Sequence, residues 1–279
     1  MYKILIAALI SVQFAHAQSG EWTSYGLTPG ETRYSPLNQI NASNVARLGL
    51  NWSFDVGKGG GNQEATPLFA NNTIFSITNW SIVFAVDART GKEKWRWDPE
   101  VNQDKTRPQI CCGVVNRGLA MYQNLIIAPI IDGRLIALNA ETGKPVWESR
   151  VSYSNEGYTV TMAPRIAKGK VIIGVAGAEL PIRGFFSAFD AATGKFAWKF
   201  YTVPGDPSKP FESPAMKKAA EPGRAIIGSS AAADRCGMAW PTIPTPISST
   251  SAPATADPGP KSCASPRARR ISTWLRFSP

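Results

Sequence analysis

The sequence predicts an all-β protein made of β-propeller blades, and an internal repeat is the main reason. One segment occurs three times, at residues 84–95, 135–147 and 186–198. A constant spacing of about 50 residues, filled with short alternating strands, is typical of four-stranded propeller blades. A β-sandwich is the alternative all-β architecture, and the regular repeat argues against it.

Each repeat carries the signals of a β-hairpin. The first strand ends at an acid or amide whose short side chain can bond its own backbone in a turn. A Thr-Gly pair follows, and glycine permits the positive φ of a tight turn. A tryptophan ends the returning strand and suits docking between blades. The turn residue and the tryptophan of the three repeats are Asp87 and Trp95, Asn139 and Trp147, and Asp190 and Trp198.

Further strands complete the predicted blades. Apolar stretches precede the hairpins at residues 72–77, 125–129 and 170–175. Residues 48–52, which end in Trp52, resemble the end of an earlier and atypical unit. The sequence therefore predicts about four tryptophan-docked blades, within a domain at residues 18–221.

The first residues, 1–17, predict a secretory signal peptide. Lys3 precedes an apolar run at residues 4–10, and Ala15, His16 and Ala17 form a small-x-small cleavage site. The run is too short to cross a bilayer, and no other segment approaches that length, so we predict no transmembrane segment. We expect a periplasmic protein, in a compartment where disulfides persist. A buried N-terminal strand is the alternative.

Two adjacent cysteines, Cys111 and Cys112, are the most informative local feature of the chain. If they pair, the disulfide closes a small ring through one peptide bond and must twist that bond. Strain of this kind is found mainly at functional sites. Two buried, reduced thiols are the alternative interpretation.

Composition excludes several classes of enzyme. The only histidine, His16, lies in the predicted signal peptide. A mature chain without histidine cannot use Ser-His-Asp catalysis, histidine-based zinc sites or c-type haem attachment. No dinucleotide-binding fingerprint and no P-loop is present. The net charge is +10, but no nucleic-acid-binding motif accompanies it, so we predict no nucleic-acid partner.

The repeat, together with several other motifs, resembles the pyrroloquinoline-quinone (PQQ) dehydrogenases, whose fold is an eight-bladed propeller docked by tryptophans. The motifs lie at residues 22–26, 31–40, 63–67, 110–118, 159–164 and 177–180. The adjacent cysteines are highly specific, whereas the Thr-Gly-Lys repeat also occurs in non-catalytic propellers. The resemblance covers residues 18–220 and implies the first part of a quinoprotein alcohol dehydrogenase, so the predicted fold is a partial eight-bladed β-propeller.

The resemblance implies a PQQ site in the central channel. Cys111 and Cys112 match the disulfide that lies against the quinone in this family. Arg117 matches an arginine that bonds the quinone's carboxylates, and a guanidinium fork suits a carboxylate. Glu64 and Thr161 match two further contacts with PQQ. Read without the resemblance, these residues are a surface arginine, a solvated loop acid and a structural threonine.

A second part of the resemblance concerns a metal. Gly177 and Ala178 match a loop that contacts PQQ, and Glu179 matches a ligand of Ca²⁺, with a lanthanide as the alternative. The implied reaction is oxidation of a small primary alcohol by hydride transfer to PQQ, followed by electron transfer to a cytochrome c-type acceptor. The family's catalytic aspartate has no counterpart in this chain.

The tail, residues 222–279, departs from the family pattern. It has seven Lys or Arg, only two Asp, and much Ala, Ser, Pro and Thr. A disordered basic tail is one interpretation. Our preferred hypothesis is a frameshift. Codons that are permitted for residues 232–276 can be translated in a second reading frame, which begins at the last base of each codon. In that frame the translation continues the family sequence. The chain would then be an inactive fragment.

A non-catalytic propeller scaffold of the cell envelope is the alternative function, because such proteins share the repeat. The cofactor residues distinguish the two hypotheses. A scaffold has no use for Cys111, Cys112, Arg117 and Glu179 together.

Overall fold

A computed structural model describes residues 20–57, 62–110, 113–177 and 179–220. The predicted signal peptide, residues 221–279 with the predicted tail, Cys111, Cys112 and Ala178 lie outside the described residues. No helix in the described ranges is long and apolar enough to cross a membrane.

Three four-stranded antiparallel sheets make up the described fold, each with its strands in chain order. We call them blades 1, 2 and 3. Blade 1 contains β1 (Leu68–Ala70), β2 (Thr73–Ile77), β3 (Val83–Asp87) and β4 (Glu93–Trp97). Blade 2 contains β5 (Ala120–Tyr122), β6 (Leu125–Pro129), β7 (Arg134–Asn139) and β8 (Pro145–Arg150). Blade 3 contains β9 (Arg165–Ala167), β10 (Lys170–Gly174), β11 (Phe185–Asp190) and β12 (Phe196–Tyr201).

Helices are few and short in the described chain. Two are α-helices, α1 (Gln103–Thr106) and α2 (Pro214–Ala219). Three are 3₁₀ turns, Val45–Arg47, Arg107–Gln109 and Ser154–Glu156. The predicted all-β propeller architecture is therefore confirmed.

The repeated turns form as the sequence predicts. In blade 1, one oxygen of Asp87 accepts hydrogen bonds from the Arg89 N–H at 3.1 Å, the Thr90 N–H at 2.8 Å and the Thr90 hydroxyl at 2.9 Å. These bonds, led by the Thr90 N–H, lower the pKa of Asp87 below its ordinary value. Asn139 and Asp190 make the same bonds in blades 2 and 3.

The tryptophans of the first two repeats, Trp95 and Trp147, each dock onto the turn of the following blade. The Trp95 indole N–H of blade 1 donates to the Ala140 carbonyl of blade 2 at 2.9 Å. Its ring lies over Gly143, where a Cβ would come within 2.6 Å of it. Trp147 lies in the same way over Gly194 of blade 3. Side-chain-free glycine is required at these turns because the ring occupies the space of a Cβ.

The earlier unit predicted to end at residues 48–52 is not a complete blade but a single segment that docks on blade 1. The Trp52 N–H donates to the Ala88 carbonyl of blade 1 at 3.0 Å, so this tryptophan docks like the others. Residues 51–57 nevertheless contain no strand. The prediction of about four blades thus corresponds to three complete blades plus this segment.

Two apolar cores hold the blades together, one at each interface. The core between blades 1 and 2 includes Leu68, Phe75, Ile126 and Ile136. The core between blades 2 and 3 includes Ile127, Leu135, Val171, Ile173 and Phe189. Burial at the interfaces, rather than within a blade, makes the stability of each blade depend on its neighbours.

Candidate functional site

Three of the predicted cofactor residues meet at the inner rim of the blades. Glu64, Arg117 and Thr161 come shortly before β1, β5 and β9, the first strands of blades 1, 2 and 3. The backbone joins these segments across the blades, since the Thr66 N–H donates to the Arg117 carbonyl at 3.1 Å. The Arg117 N–H in turn donates to the Thr161 carbonyl at 2.9 Å. The three residues therefore occupy adjacent positions around the channel.

The side chain of Arg117 lies at the centre of this group. One terminal nitrogen donates to the Thr161 hydroxyl at 2.9 Å, and the other lies 3.2 Å from a Glu64 carboxylate oxygen. The Arg117 side chain is 15% exposed, whereas the Glu64 side chain is 40% exposed. A mostly buried guanidinium is strengthened as an anion-binding group, because the surrounding protein screens its charge less than water does.

A buried polar network fixes the backbone that carries Arg117. The Asn116 side-chain amide donates to the Pro129 carbonyl at 2.8 Å and to the Ser81 hydroxyl at 3.3 Å. The Asn116 carbonyl oxygen accepts the Gly118 N–H at 3.1 Å. Asn116 is only 1% exposed. Sequence reasoning treated Asn116 only as part of a motif and missed this role. Its position next to Arg117 was the only available signal.

Two glycines allow close backbone approach near the site. Gly118 has φ 134°, and a Cβ there would lie 3.0 Å from the Thr66 carbonyl oxygen. Gly177 has φ 128°, and a Cβ there would lie 2.8 Å from the Gly157 carbonyl oxygen. Side chains other than glycine rarely adopt these conformations, so both positions require glycine. The backbone at Gly177, two residues before the predicted metal ligand Glu179, is thereby constrained.

Glu179 follows on the same loop and is exposed. Within the described ranges, no group of three or more His, Cys, Asp or Glu side chains is placed to hold a metal ion. The described residues therefore do not assemble a complete metal site around Glu179. Its predicted neighbours Cys111, Cys112 and Ala178 are among the residues that the structure leaves undescribed.

An N-terminal cluster beneath the site was not predicted. The Tyr25 ring lies between two guanidinium groups, with Arg33 at 4.2 Å and Arg165 at 4.1 Å from its centroid. Glu31 makes a two-pronged ion pair with Arg165, the longer contact measuring 3.0 Å. Arg33 also donates to the Thr66 hydroxyl at 3.2 Å. The segment thereby ties blade 1 to blade 3 next to the backbone of Arg117.

Comparison with known proteins agrees with this geometry. The family model described as the β-propeller domain of glucose, ethanol and alcohol dehydrogenases that use PQQ matches residues 22–236. The match therefore ends inside the predicted tail. Quinohemoprotein alcohol dehydrogenase ADH IIB of Pseudomonas putida is 51% identical over 211 residues, which is 76% of this chain and 30% of that protein.

Solved structures show the same likeness. Quinohemoprotein alcohol dehydrogenase from Comamonas testosteroni superposes with a TM-score of 0.70 at 45% identity, covering 74% of this chain and 31% of that one. A europium-containing methanol dehydrogenase gives a TM-score of 0.63 at 38% identity, covering 67% and 32%. The chain spans about 30% of the length of the curated relatives it matches. With an arginine-centred site at the inner rim and this family match, the chain belongs to the PQQ-dependent alcohol dehydrogenase family and forms part of its β-propeller domain.

Proposed function

We propose that this chain is the first part of a periplasmic PQQ-dependent dehydrogenase that oxidises small primary alcohols. The convergence of Arg117, Glu64 and Thr161 from three blades is the observation that carries the proposal. The family match favours this function over a non-catalytic scaffold. A scaffold gains nothing from a buried guanidinium held at the channel.

The described residues fit a polycarboxylate quinone. Arg117 offers a mostly buried positive charge, and a carboxylate of the cofactor can take the place of Glu64 or share the fork with it. The Thr161 hydroxyl lies within reach of the same group. When bound, PQQ supplies the electron acceptor for alcohol oxidation. The contribution of this chain is to bind the cofactor, orient it and balance its charge.

We further propose that Glu179 is one ligand of a Ca²⁺ ion at the cofactor, with a lanthanide as the alternative. Carboxylate oxygen suits both hard cations. The europium in the name of one structural relative belongs to that protein, and it supports the proposal of a metal ion at this site. Because the described residues supply no complete ligand set, the cofactor and residues elsewhere must provide the remaining donors.

The proposal extends to Cys111 and Cys112, which we assign as a disulfide against the quinone. The described chain leads to them through the 3₁₀ turn Arg107–Gln109 and resumes shortly before Arg117. In the sequence, the pair therefore lies in the connection between blades 1 and 2, five residues before Arg117. The periplasmic location that we propose from residues 1–17 would allow the disulfide to persist.

A c-type cytochrome is the proposed electron acceptor. Among the relatives, a Thauera butanivorans protein is named 1-butanol dehydrogenase (cytochrome c) and is 41% identical over 228 residues. Others are named quinohemoproteins. A quinone that has taken two electrons from an alcohol needs such an acceptor to complete the cycle.

The isolated chain should bind PQQ, and it should bind PQQ more weakly when Arg117 is changed. We expect Arg117→Met to weaken PQQ binding by about tenfold or more, since it removes a charge-assisted hydrogen bond. Fluorescence titration of the purified chain measures this. Arg89→Met, at an exposed turn of blade 1, is the matched control and should bind as the parent does. Equal affinity of the Arg117 variant would contradict the assignment.

We expect no dehydrogenase turnover from the purified chain, because the described blades leave the channel open on one side.

Resequencing the gene from the codon of Pro214 onward tests the origin of the tail. We expect one base added or lost near residue 221, with the family sequence continuing in the restored frame. If the tail is encoded in frame and no other reading frame of the same DNA continues the family sequence, the frameshift hypothesis is wrong. PQQ-dependent turnover by the chain would refute the claim of inactivity.

A further inference from the structure

A cavity lies between blades 2 and 3. Its volume is about 460 Å³, within the range of small-molecule pockets. It is lined by the end of β8 with the loop after it, and by β11 and β12. Glu64, Arg117 and Thr161 do not line it. The cavity is therefore separate from the residues assigned to the quinone.

Two buried hydroxyl groups in the wall of this cavity have no hydrogen-bond partner among the described residues. They belong to Ser152, which is 4% exposed, and Ser187, which is fully buried. A buried polar group without a partner is costly, so such groups in native proteins usually meet a water or a ligand. Both serines line the same cavity, so a polar group of a ligand in this cavity is a candidate partner for them.

A positive charge stands beside one of these hydroxyls. Lys199 pairs directly with Ser187 in the register of β11 and β12, so both side chains lie on the same face of blade 3. The Lys199 ammonium lies 4.0 Å from the centre of the Phe185 ring and makes no ion pair with a carboxylate of the described chain. A contact of this kind at an exposed site is weak, so an anion can draw the ammonium away.

The other charged groups of the cavity limit the ligand to a single negative charge. Arg150 is engaged already, because it donates to the Asp132 carbonyl at 3.2 Å and lies 3.9 Å from the Asp132 carboxylate. Glu156 also lines the cavity and is exposed. A ligand with two or three negative charges would be repelled by Glu156, whereas one charge is matched by Lys199.

Aromatic rings form much of the remaining wall. Phe185 packs edge-on against Tyr158 at 5.2 Å and against Tyr201 at 6.0 Å between ring centres. The Tyr158 hydroxyl is already engaged, since it donates to the Arg183 carbonyl at 2.8 Å. These rings therefore present their apolar surfaces to the cavity and suit a flat or aliphatic ligand body.

We propose that this cavity binds a small organic monocarboxylate. The carboxylate pairs with Lys199 and accepts a hydrogen bond from the Ser187 hydroxyl, which neighbours it across the two strands. The apolar body of the ligand lies against Phe185 and Tyr201. The site requires blades 2 and 3 but neither PQQ nor a metal, so it does not depend on the proposed dehydrogenase function.

Calorimetric titration of the purified 279-residue chain with benzoate and with hexanoate tests the site. Benzamide, which has the shape of benzoate without its charge, is the control ligand. We expect both acids to bind with a Kd of about 1 mM or tighter, and benzamide to bind about tenfold more weakly. Failure of both acids to bind, or equal binding of benzamide and benzoate, would overturn the proposal.

Variants then locate the binding. Lys199→Met should weaken benzoate binding by about tenfold, and Ser187→Ala by about fivefold, while Lys199→Arg should retain it. Lys195→Met removes an exposed lysine that does not line the cavity, and it should leave binding unchanged. Circular dichroism checks that each variant keeps its sheets. Unchanged binding by Lys199→Met, or equal loss in Lys195→Met, would contradict the assignment.

Discussion

Replacing Trp95 by alanine should lower the free energy of unfolding by about 3 kcal/mol, within the range seen for large-to-small changes of packed aromatic residues. The indole packs over Gly143 and donates its N–H to the Ala140 carbonyl at 2.9 Å. The substitution removes that packing and leaves the carbonyl without its partner. Because the ring bridges blades 1 and 2, the loss should weaken the interface and not one blade alone. Urea denaturation followed by circular dichroism measures the change.

Trp198 provides a matched control for this prediction. It occupies the same position of the repeat in blade 3 but is 42% exposed, and the described chain offers no further turn for it to dock onto. Trp198→Ala should therefore cost about 1 kcal/mol or less, as is usual for exposed positions. Equal losses for the two variants would show that the tryptophans stabilise their own blades and do not join neighbouring ones.

Gly133→Ala should be at least as damaging, with an expected loss of more than about 3 kcal/mol. Gly133 has φ 93°, a conformation that costs an alanine about 1–2 kcal/mol by itself. Its added Cβ would also lie 2.2 Å from the Ser152 carbonyl oxygen, which belongs to the backbone and cannot rotate away. The Gly133 carbonyl accepts the Val151 N–H at 2.9 Å, so movement there would pull on the end of β8.

A substitution at Gly57 allows the cost of the positive φ to be measured apart from the cost of the steric clash. Its φ is 76°, but no atom of the described residues lies within 4 Å of the place where a Cβ would be. Gly57→Ala should therefore show only the conformational part, about 1 kcal/mol. Thermal or urea denaturation of the two variants side by side makes the comparison. If Gly133→Ala lost no more than Gly57→Ala, the close approach of Ser152 would be without energetic consequence.

The blades were predictable because each one is encoded locally. The hydrogen bonds that the Thr90 N–H and hydroxyl donate to Asp87 span three positions and recur in every repeat, so they are visible as a motif. The strand alternation and the tryptophan positions follow from the same short segment. The resemblance to a family then supplied Glu64, Arg117 and Thr161 as a group, which the residues alone read as unrelated surface and structural positions.

The contacts between blades could not be predicted from short segments of the sequence. The bond from Arg117 to Thr161 and the ion pair of Glu31 with Arg165 join residues far apart in the chain, and their partners are set by how the blades stack. The buried network of Asn116 has the same origin.

The sequence by itself thus determined the repeat, the all-β class and the family. The tertiary structure decided which side chains meet at the channel and in the cavity beside Lys199. It also decided that Trp52 docks on blade 1 without a strand of its own. The physical reason is that turns and strands depend on neighbours within one hairpin, whereas sites between blades depend on surfaces that come together only after the sheets have packed.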